Sequence, residues 1–152
     1  MASDDHRSEL EERGEFKKLH TYRGLVFRNL KHHPVHPRAS RGKAIAYFEF
    51  EDNHSLDAHI DEIPPGGCSG KHRHNNEAVI YIVQGQGYSI LQKEGEPEIK
   101  VEWKEGDLFS PPLLAWHQHF NTDQERPARF LAVTMVPFVK ALGILTIEKA
   151  GS

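Results

Sequence analysis

The chain has 152 residues and a mass of 17.3 kDa, with 38% apolar residues, 27% charged residues and a formal net charge of -3. This length suits one domain that buries its own core, and the weak, unclustered charge does not indicate a nucleic-acid groove or a basic membrane-seeking face. No apolar run approaches the ~20 residues of a membrane helix, and the charged N-terminal stretch excludes a secretory signal, so we expect a cytoplasmic protein without nucleic-acid or membrane partners.

Cysteine and histidine usage limits the kind of metal site that the chain can hold. The sequence contains one cysteine, Cys68, and eleven histidines. A single cysteine excludes an intrachain disulfide and a cysteine-rich zinc site, which leaves imidazole and carboxylate groups as the supply of metal ligands.

The first 42 residues predict an extension that precedes the main domain. Ser8 stands three residues before Glu11, a spacing typical of a helix start, so a short surface helix is expected near the N-terminus. Residues 22–30 are apolar enough to dock on a domain, whereas the prolines and basic residues at 32–42 favour a connecting loop.

From Lys43 onward, apolar residues recur with a period of two, which is the spacing of β-strands. Short strands are predicted, in chain order, at 43–51, 55–63, 72–84, 88–93, 98–103, 115–121 and 128–136. Glycine and proline turns separate them and helical periodicity is scarce, which favours an antiparallel sandwich or barrel. A small barrel of this kind can enclose one ligand.

The predicted strand at 72–84 carries the strongest functional signal. His72 and His74 stand two residues apart and directly follow a glycine-rich loop at 66–70. Successive side chains of a strand alternate between its faces, so these two imidazoles leave from the same face, whereas on a helix they would diverge. We therefore expect both side chains to bind one metal ion.

A second histidine pair, His117 and His119, repeats the same spacing in the predicted strand at 115–121. If His117 points inward, His119 and Asn121 do so as well. Two inward pairs on separate strands build a metal site, and zinc, iron, manganese, nickel and copper all accept imidazole ligands.

Both histidine segments resemble the motifs of the cupin superfamily. The first motif is matched by Gly66, His72, His74 and Gly85, and the second by Gly106, Pro112, His117 and Asn121. Leu114 replaces one glycine of the second motif. The resemblance implies an all-β fold, the cupin double-stranded β-helix or jelly-roll barrel, with the metal inside. Residues 43–147 would form this domain, and residues 1–42 a short helical or irregular extension.

One departure from the cupin pattern concerns the carboxylate ligand. Cupins commonly carry a glutamate four residues after the second histidine, but Ala78 occupies that position and Glu77 stands one residue early. On an unbroken strand Asn76 and Ala78 share the face of the histidines, and Glu77 points away. The better ligand set is therefore His72, His74 and His117.

The missing carboxylate, together with segments 78–87 and 116–119, resembles the gentisate dioxygenase branch of the cupins. Enzymes of that branch use Fe(II) held by histidines to split aromatic rings with O2, and they are usually longer chains with two cupin domains. The resemblance implies a dioxygenase with one divalent metal ion per chain, Fe(II) first and Mn, Ni, Zn or Cu as alternatives. Its partners would be O2 and a small aromatic or enol-type oxygenated substrate.

The positions of other polar residues near the motifs predict their roles. His119 is the candidate catalytic residue, as a base or as a group that orients substrate, because an ordinary histidine pKa of about 6.5 suits proton transfer near neutrality. Asn121 is expected to brace a metal ligand, and Arg73 to face away from the metal. Arg126 or Arg129 is a candidate partner for a substrate carboxylate.

Two other functions stay open at the level of the sequence. A metal-dependent cupin lyase, isomerase or dehydratase would enolise its substrate without O2, and a non-enzymatic cupin would bind a small molecule or stabilise an assembly. The apolar tail at 138–147 needs burial against the domain or against a second subunit. Because cupin barrels often pair through edge strands, the resemblance and this tail together make a homodimer the expected assembly.

Overall fold

A computed structural model describes residues 4–151, with side chains from Glu9 onward. Two α-helices lie in this range, α1 (Asp4–Leu19) and α2 (Val136–Ala141). Neither is long and apolar enough to cross a membrane. The β-strands are β1 (Thr21–Gly24), β2 (His36–Arg38), β3 (Lys43–Phe50), β4 (Asp57–Ile63), β5 (His72–His74), β6 (Ala78–Gln84), β7 (Gln86–Gln92), β8 (Ile99–Lys104), β9 (Leu108–Phe109), β10 (Trp116–Asn121), β11 (Ala128–Thr134) and β12 (Ile147–Lys149).

The strands form two sheets, and the all-β jelly-roll prediction is confirmed. The larger sheet has the order β1-β3-β4-β11-β6-β9, with β2 also paired to β3, and the smaller sheet has the order β12-β5-β10-β7-β8. Every pairing is antiparallel except the parallel pair β1–β3. Strands β5 and β10, which carry the four motif histidines, are neighbours in the smaller sheet.

An apolar core lies between the sheets. It comprises Ile63, Ile80, Ile82, Trp103, Ala128, Phe130 and Ala132. Ile63 and Ile82 are fully buried, and burial of such a side chain contributes about 1.5–3 kcal/mol to folding. Trp103 belongs to the smaller sheet and the other members to the larger one or to its strand ends, so this core holds the two sheets together.

The N-terminal segment is more ordered than the sequence predicts. Helix α1 begins at Asp4, so the predicted start at Ser8 is wrong in position, and the side chain of Ser8 lies outside the described residues. Buried Glu9 ties the helix to the barrel, because its carboxylate lies 3.1 Å from Arg38 and 2.9 Å from Lys149. The predicted loop at 32–42 contains β2, which a proline-rich sequence does not announce.

The outer face of the larger sheet is covered by the same N-terminal segment. Ala46, Phe48, Ala58 and Ile60 form a second buried cluster on this face. Tyr22, Phe27, Leu30 and Val35 pack against it. Both faces of β3 and β4 are therefore covered, and polar residues of these strands can lie inside the barrel.

The predicted strand at 72–84 is interrupted. The chain leaves β5 after His74 and enters β6 at Ala78, and these strands belong to different sheets. Asn76 and Ala78 are nevertheless buried and Glu77 is exposed, so the predicted faces hold although the strand does not continue. The physical reason is that residues 75–77 cross from one sheet to the other.

The C-terminal part of the chain contains a short helix in addition to the predicted strand. The predicted strand at 128–136 ends at Thr134, and α2 follows it. Val139 and Ile147 are buried against the domain, whereas Phe138, Leu142 and Ile144 remain exposed. The tail is thus partly covered within one chain.

Candidate metal centre

Three histidines converge because of the register between two neighbouring strands. His117 on β10 lies directly opposite His72 on β5, and His74 follows two residues later on the same face. The imidazole centroid of His117 lies 4.2 Å from that of His72 and 4.8 Å from that of His74. One ligand atom from each histidine lies within 4.8 Å of the other two, so one metal ion can be held by all three.

Each of these imidazoles is oriented by a backbone carbonyl. The Nδ1 atom lies 3.1 Å from the Gly70 oxygen in His72, 2.8 Å from the Asn76 oxygen in His74 and 2.9 Å from the Ala115 oxygen in His117. A carbonyl only accepts hydrogen bonds, so Nδ1 carries the proton. Nε2 then keeps the lone pair that binds a metal, which is the usual arrangement of ligating histidines.

Burial keeps these imidazoles neutral. Loss of hydration is the largest cause that lowers the pKa of His74 to about 4 and that of His117 to about 3, and it lowers the pKa of His72 well below its usual value. Metal binding needs unprotonated imidazole. The donor set therefore fits a divalent transition metal near pH 7 without prior deprotonation.

His119 differs from the three in its hydrogen bonding. Its Nδ1 lies 2.6 Å from the hydroxyl of buried Ser89, and that hydroxyl accepts the indole N–H of Trp103 at 2.9 Å. No other acceptor for the Ser89 hydroxyl proton occurs among the hydrogen bonds of the described side chains, so Ser89 donates to Nδ1. The proton of His119 then lies on Nε2, which makes this atom a hydrogen-bond donor and not a metal ligand.

The turn before β10 contains Leu114 at the motif position where cupins carry a glycine. Leu114 adopts a φ of 61°, in the left-handed region that glycine occupies freely. A leucine there costs about 1–2 kcal/mol. Its N–H lies 3.3 Å from the carbonyl of His74, so the turn links the segments that carry the two histidine pairs.

Two predicted roles are corrected or refined by the contacts. Asn121 does not brace a ligand; its side-chain amide donates to the carbonyls of Ile63, Pro64 and Arg126 and holds two loops together. Arg73 faces away from the metal as predicted, and its guanidinium pairs with Glu148 at 2.7 Å.

The two arginines that were candidate partners for a substrate carboxylate, Arg126 and Arg129, do not lie at the site. Arg129 pairs with Glu62 at 2.6 Å and donates to the carbonyls of Leu30 and His33, and Arg126 is a surface residue. Neither arginine lines the cavity that contains the histidines. Their predicted role is therefore wrong.

The cavity that contains the histidines has a second, ionic wall that sequence reasoning missed. It is formed by Arg38, Arg41, Lys43, Tyr47, His59 and Asp61, from β2, β3, β4 and the turn between β2 and β3. Arg38 pairs with Glu9 and Lys43 with Asp61, but no carboxylate of residues 9–151 lies within 4 Å of the Arg41 guanidinium. Arg41 is only 3% exposed. A buried cation that makes no direct ion pair with a carboxylate of residues 9–151 therefore faces the metal centre, and the charges of Glu9 and Asp61 stabilise it only in part.

His59 gives the fold a testable pH dependence. Burial lowers its pKa to about 4, so between pH 6.5 and 4 the unfolded chain binds more protons than the folded one. The stability that neutral His59 contributes is complete above pH 6.5 and is lost as the pH falls to 4. At about 1.4 kcal/mol per pKa unit, the free energy of unfolding falls by up to about 3 kcal/mol over this range.

Replacement of His59 by glutamine should therefore make the loss of stability between pH 6.5 and pH 4 shallower. Urea unfolding at a series of pH values measures this, and an unchanged dependence of the unfolding free energy on pH would contradict the assignment to His59.

Comparison with known proteins identifies the family. A family model described as a cupin domain matches residues 59–134, half of the chain, and this match contains both histidine motifs. The chain belongs to the cupin family. The predicted resemblance is thus confirmed at the level of the family.

The curated relatives of this cupin are named as dioxygenases. The 5-aminosalicylate 1,2-dioxygenase of Comamonas sp is 30% identical over 90 residues, which cover 59% of this chain and 22% of that protein. The gentisate 1,2-dioxygenase 1 of Aquipseudomonas alcaligenes is 32% identical over 85 residues, which cover 56% of this chain and 23% of that protein. The matched part of the cupin chain thus spans less than a quarter of each of these two proteins.

Solved structures share the fold. Salicylate 1,2-dioxygenase of Pseudoaminobacter salicylatoxidans, in complex with gentisate, matches 95% of this cupin chain and 36% of its own chain with a TM-score of 0.64 and 15% identity. Oxalate decarboxylase of Lactobacillus farciminis matches 77% of this chain and 33% of its own with the same TM-score and 24% identity. At these identities the likeness shows the cupin fold alone.

Proposed function

We propose that this cupin is a metal-dependent dioxygenase that cleaves a small aromatic or enol-type oxygenated anion with O2. The cluster of three neutral histidines, which contains no carboxylate among the described residues, carries the proposal. The dioxygenase names of the relatives point in the same direction. Fe(II) is the proposed ion, and His72, His74 and His117 are its proposed ligands.

The ligand set bears on the chemistry and on the charge of the substrate. Bound Fe(II) would supply the redox-active ion through which electrons pass between substrate and O2. Neutral imidazoles leave the charge of a divalent ion uncompensated, so the cavity favours an anion. Buried Arg41 adds a positive charge to the same cavity and is the proposed partner of a substrate carboxylate.

His119 is proposed as the group that orients substrate. Its ring is buried and its pKa lies well below the usual value, mainly because of desolvation, so it stays neutral. With the proton on Nε2, held there by Ser89, it donates a hydrogen bond to a substrate oxygen. This favours the orienting role over that of a base, because a protonated Nε2 cannot accept a proton.

An oxygen-electrode assay tests the proposed function. Protein reconstituted with Fe(II) is mixed with gentisate, salicylate, 5-aminosalicylate or a β-dicarbonyl, and product is followed by mass spectrometry. We expect O2 and one of these compounds to disappear in equal amounts, with both oxygen atoms of O2 in the product. Turnover without O2 uptake would instead indicate a lyase or isomerase, and binding without turnover a non-enzymatic cupin.

Three other proposals concern the whole protein. These are the domain boundary after residue 42, the cytoplasmic location and the homodimer. The exposed apolar residues Phe138, Leu142 and Ile144 support a dimer, because contact with a second subunit would cover them.

A further inference from the structure

Strand β4 turns polar residues into the barrel. Asp57, His59 and Asp61 share the inward face, whereas Ala58 and Ile60 pack outward under the N-terminal segment. Asp57 has partners of its own, since Lys17 lies 3.0 Å from its carboxylate and Thr134 donates to it. The next two inward residues along the strand, His59 and Asp61, have fewer hydrogen-bond partners.

Buried polar atoms without partners mark the wall at Asp61. One carboxylate oxygen of Asp61 accepts a hydrogen bond from Lys43, but its Oδ1 has no hydrogen-bond partner among the described residues, and the same holds for Nδ1 of His59. Asp61 is 1% exposed. The Lys43 ammonium has three N–H donors and one of them bonds to Asp61. Buried polar atoms without a hydrogen-bond partner are rare in folded proteins, because each one loses its hydration without compensation.

The unpartnered atoms belong to the cavity of the metal centre. Lys43, His59 and Asp61 line the same cavity as His72 and His117. The free Asp61 oxygen accepts a hydrogen bond, and the ammonium beside it donates one. A ligand group that both donates and accepts, such as a hydroxyl, satisfies both atoms, and an amino group satisfies the carboxylate.

We propose that Lys43 and Asp61 form a second subsite, which binds a hydroxyl or amino substituent of a substrate whose other oxygens face the three histidines. The position of those other oxygens rests on the proposed function. The subsite itself rests on the unpartnered atoms, and it predicts selectivity for rings that carry a hydrogen-bonding substituent in addition to the acidic end.

Two probes separate this subsite from the metal centre. Gentisate and salicylate share the carboxylate and the neighbouring hydroxyl, but only gentisate carries a second hydroxyl, across the ring. Binding to metal-loaded protein is measured by calorimetry without O2. The unaltered protein should bind gentisate about tenfold more tightly than salicylate, as expected for one hydrogen-bonded group at a buried charged site.

Substitution of the pair should remove this preference. We expect Asp61→Asn, or the double variant Lys43→Met with Asp61→Asn if the single change unfolds the chain, to bind gentisate as weakly as salicylate and to leave salicylate binding unchanged. Glu62→Gln is the matched control, since this neighbour pairs with Arg129 on the outer face. Metal content and melting temperature are measured for every variant.

The outcomes separate the subsite from the proposed reaction. Equal weakening of both ligands, absence of a preference in the unaltered protein, or loss of stability with the preference intact would each overturn the subsite, the last by showing a purely structural pair. A preference that is lost on substitution supports it even in a protein that consumes no O2. In that case the dioxygenase proposal fails and the subsite stands.

Discussion

Purified without chelator, the protein is expected to carry close to one transition-metal ion per chain, and His72→Ala is expected to lose it. The three Nε2 lone pairs are aligned by hydrogen bonds from Nδ1 to backbone carbonyls, so the site is formed before metal arrives. Even changes to groups that only support a ligand cost about 10–100-fold in metal affinity, and removal of a ligand should cost more. Elemental analysis of both proteins measures the ion-to-chain ratio.

Glu77→Gln provides the control for this experiment. Glu77 is exposed and lies outside the cluster of three histidines, so the variant should keep its metal, while His74→Ala should lose it. Loss of metal from Glu77→Gln to the same extent as from His74→Ala would identify Glu77 as a ligand. Full activity in metal-free protein would contradict the metal centre itself.

Much of the site follows from the sequence because its signals are local. The spacing of His72 and His74, and of His117 and His119, fixes shared faces through the two-residue period of a strand. The register that places His117 opposite His72 is not local, since it depends on how β5 and β10 pair. The resemblance to the cupin motifs is what predicts that His117 joins His72 and His74.

The ionic wall shows where sequence reasoning ends. The alternation at 57–61 is visible in the sequence, but it does not tell which face lies inside, because the N-terminal segment covers the other face as well. The burial of Arg41 depends on a long-range contact, since Gly70 donates its backbone N–H to the Arg41 carbonyl. No periodicity in the sequence around residue 41 predicts this burial. Arg126 and Arg129 are nearer the second motif in sequence, but they lie outside the cavity in the fold.

Replacement of Arg41 by methionine is expected to weaken binding of carboxylate substrates strongly while leaving the fold intact. A buried guanidinium paired with a ligand carboxylate is worth several kcal/mol, so we expect the KM for such substrates to rise by about 100-fold. Steady-state kinetics, or calorimetry with salicylate, measures the change. The same variant should keep its metal, because the Arg41 side chain bonds to no imidazole among the described residues, and the Gly70 carbonyl that it reaches keeps its hydrogen bond from Nδ1 of His72.

The stability of Arg41→Met separates a ligand-binding arginine from a structural one. Burial lowers the pKa of Arg41, which means that its charge is poorly solvated in the fold, and the carboxylates of Glu9 and Asp61 compensate this loss only in part. Its removal should therefore leave the melting temperature unchanged or raise it. Arg38→Met is the matched control, because it leaves buried Glu9 with one cation fewer and should destabilise the fold by about 3 kcal/mol. If both variants unfold alike, Arg41 is a structural residue, and the substrate carboxylate must find another partner.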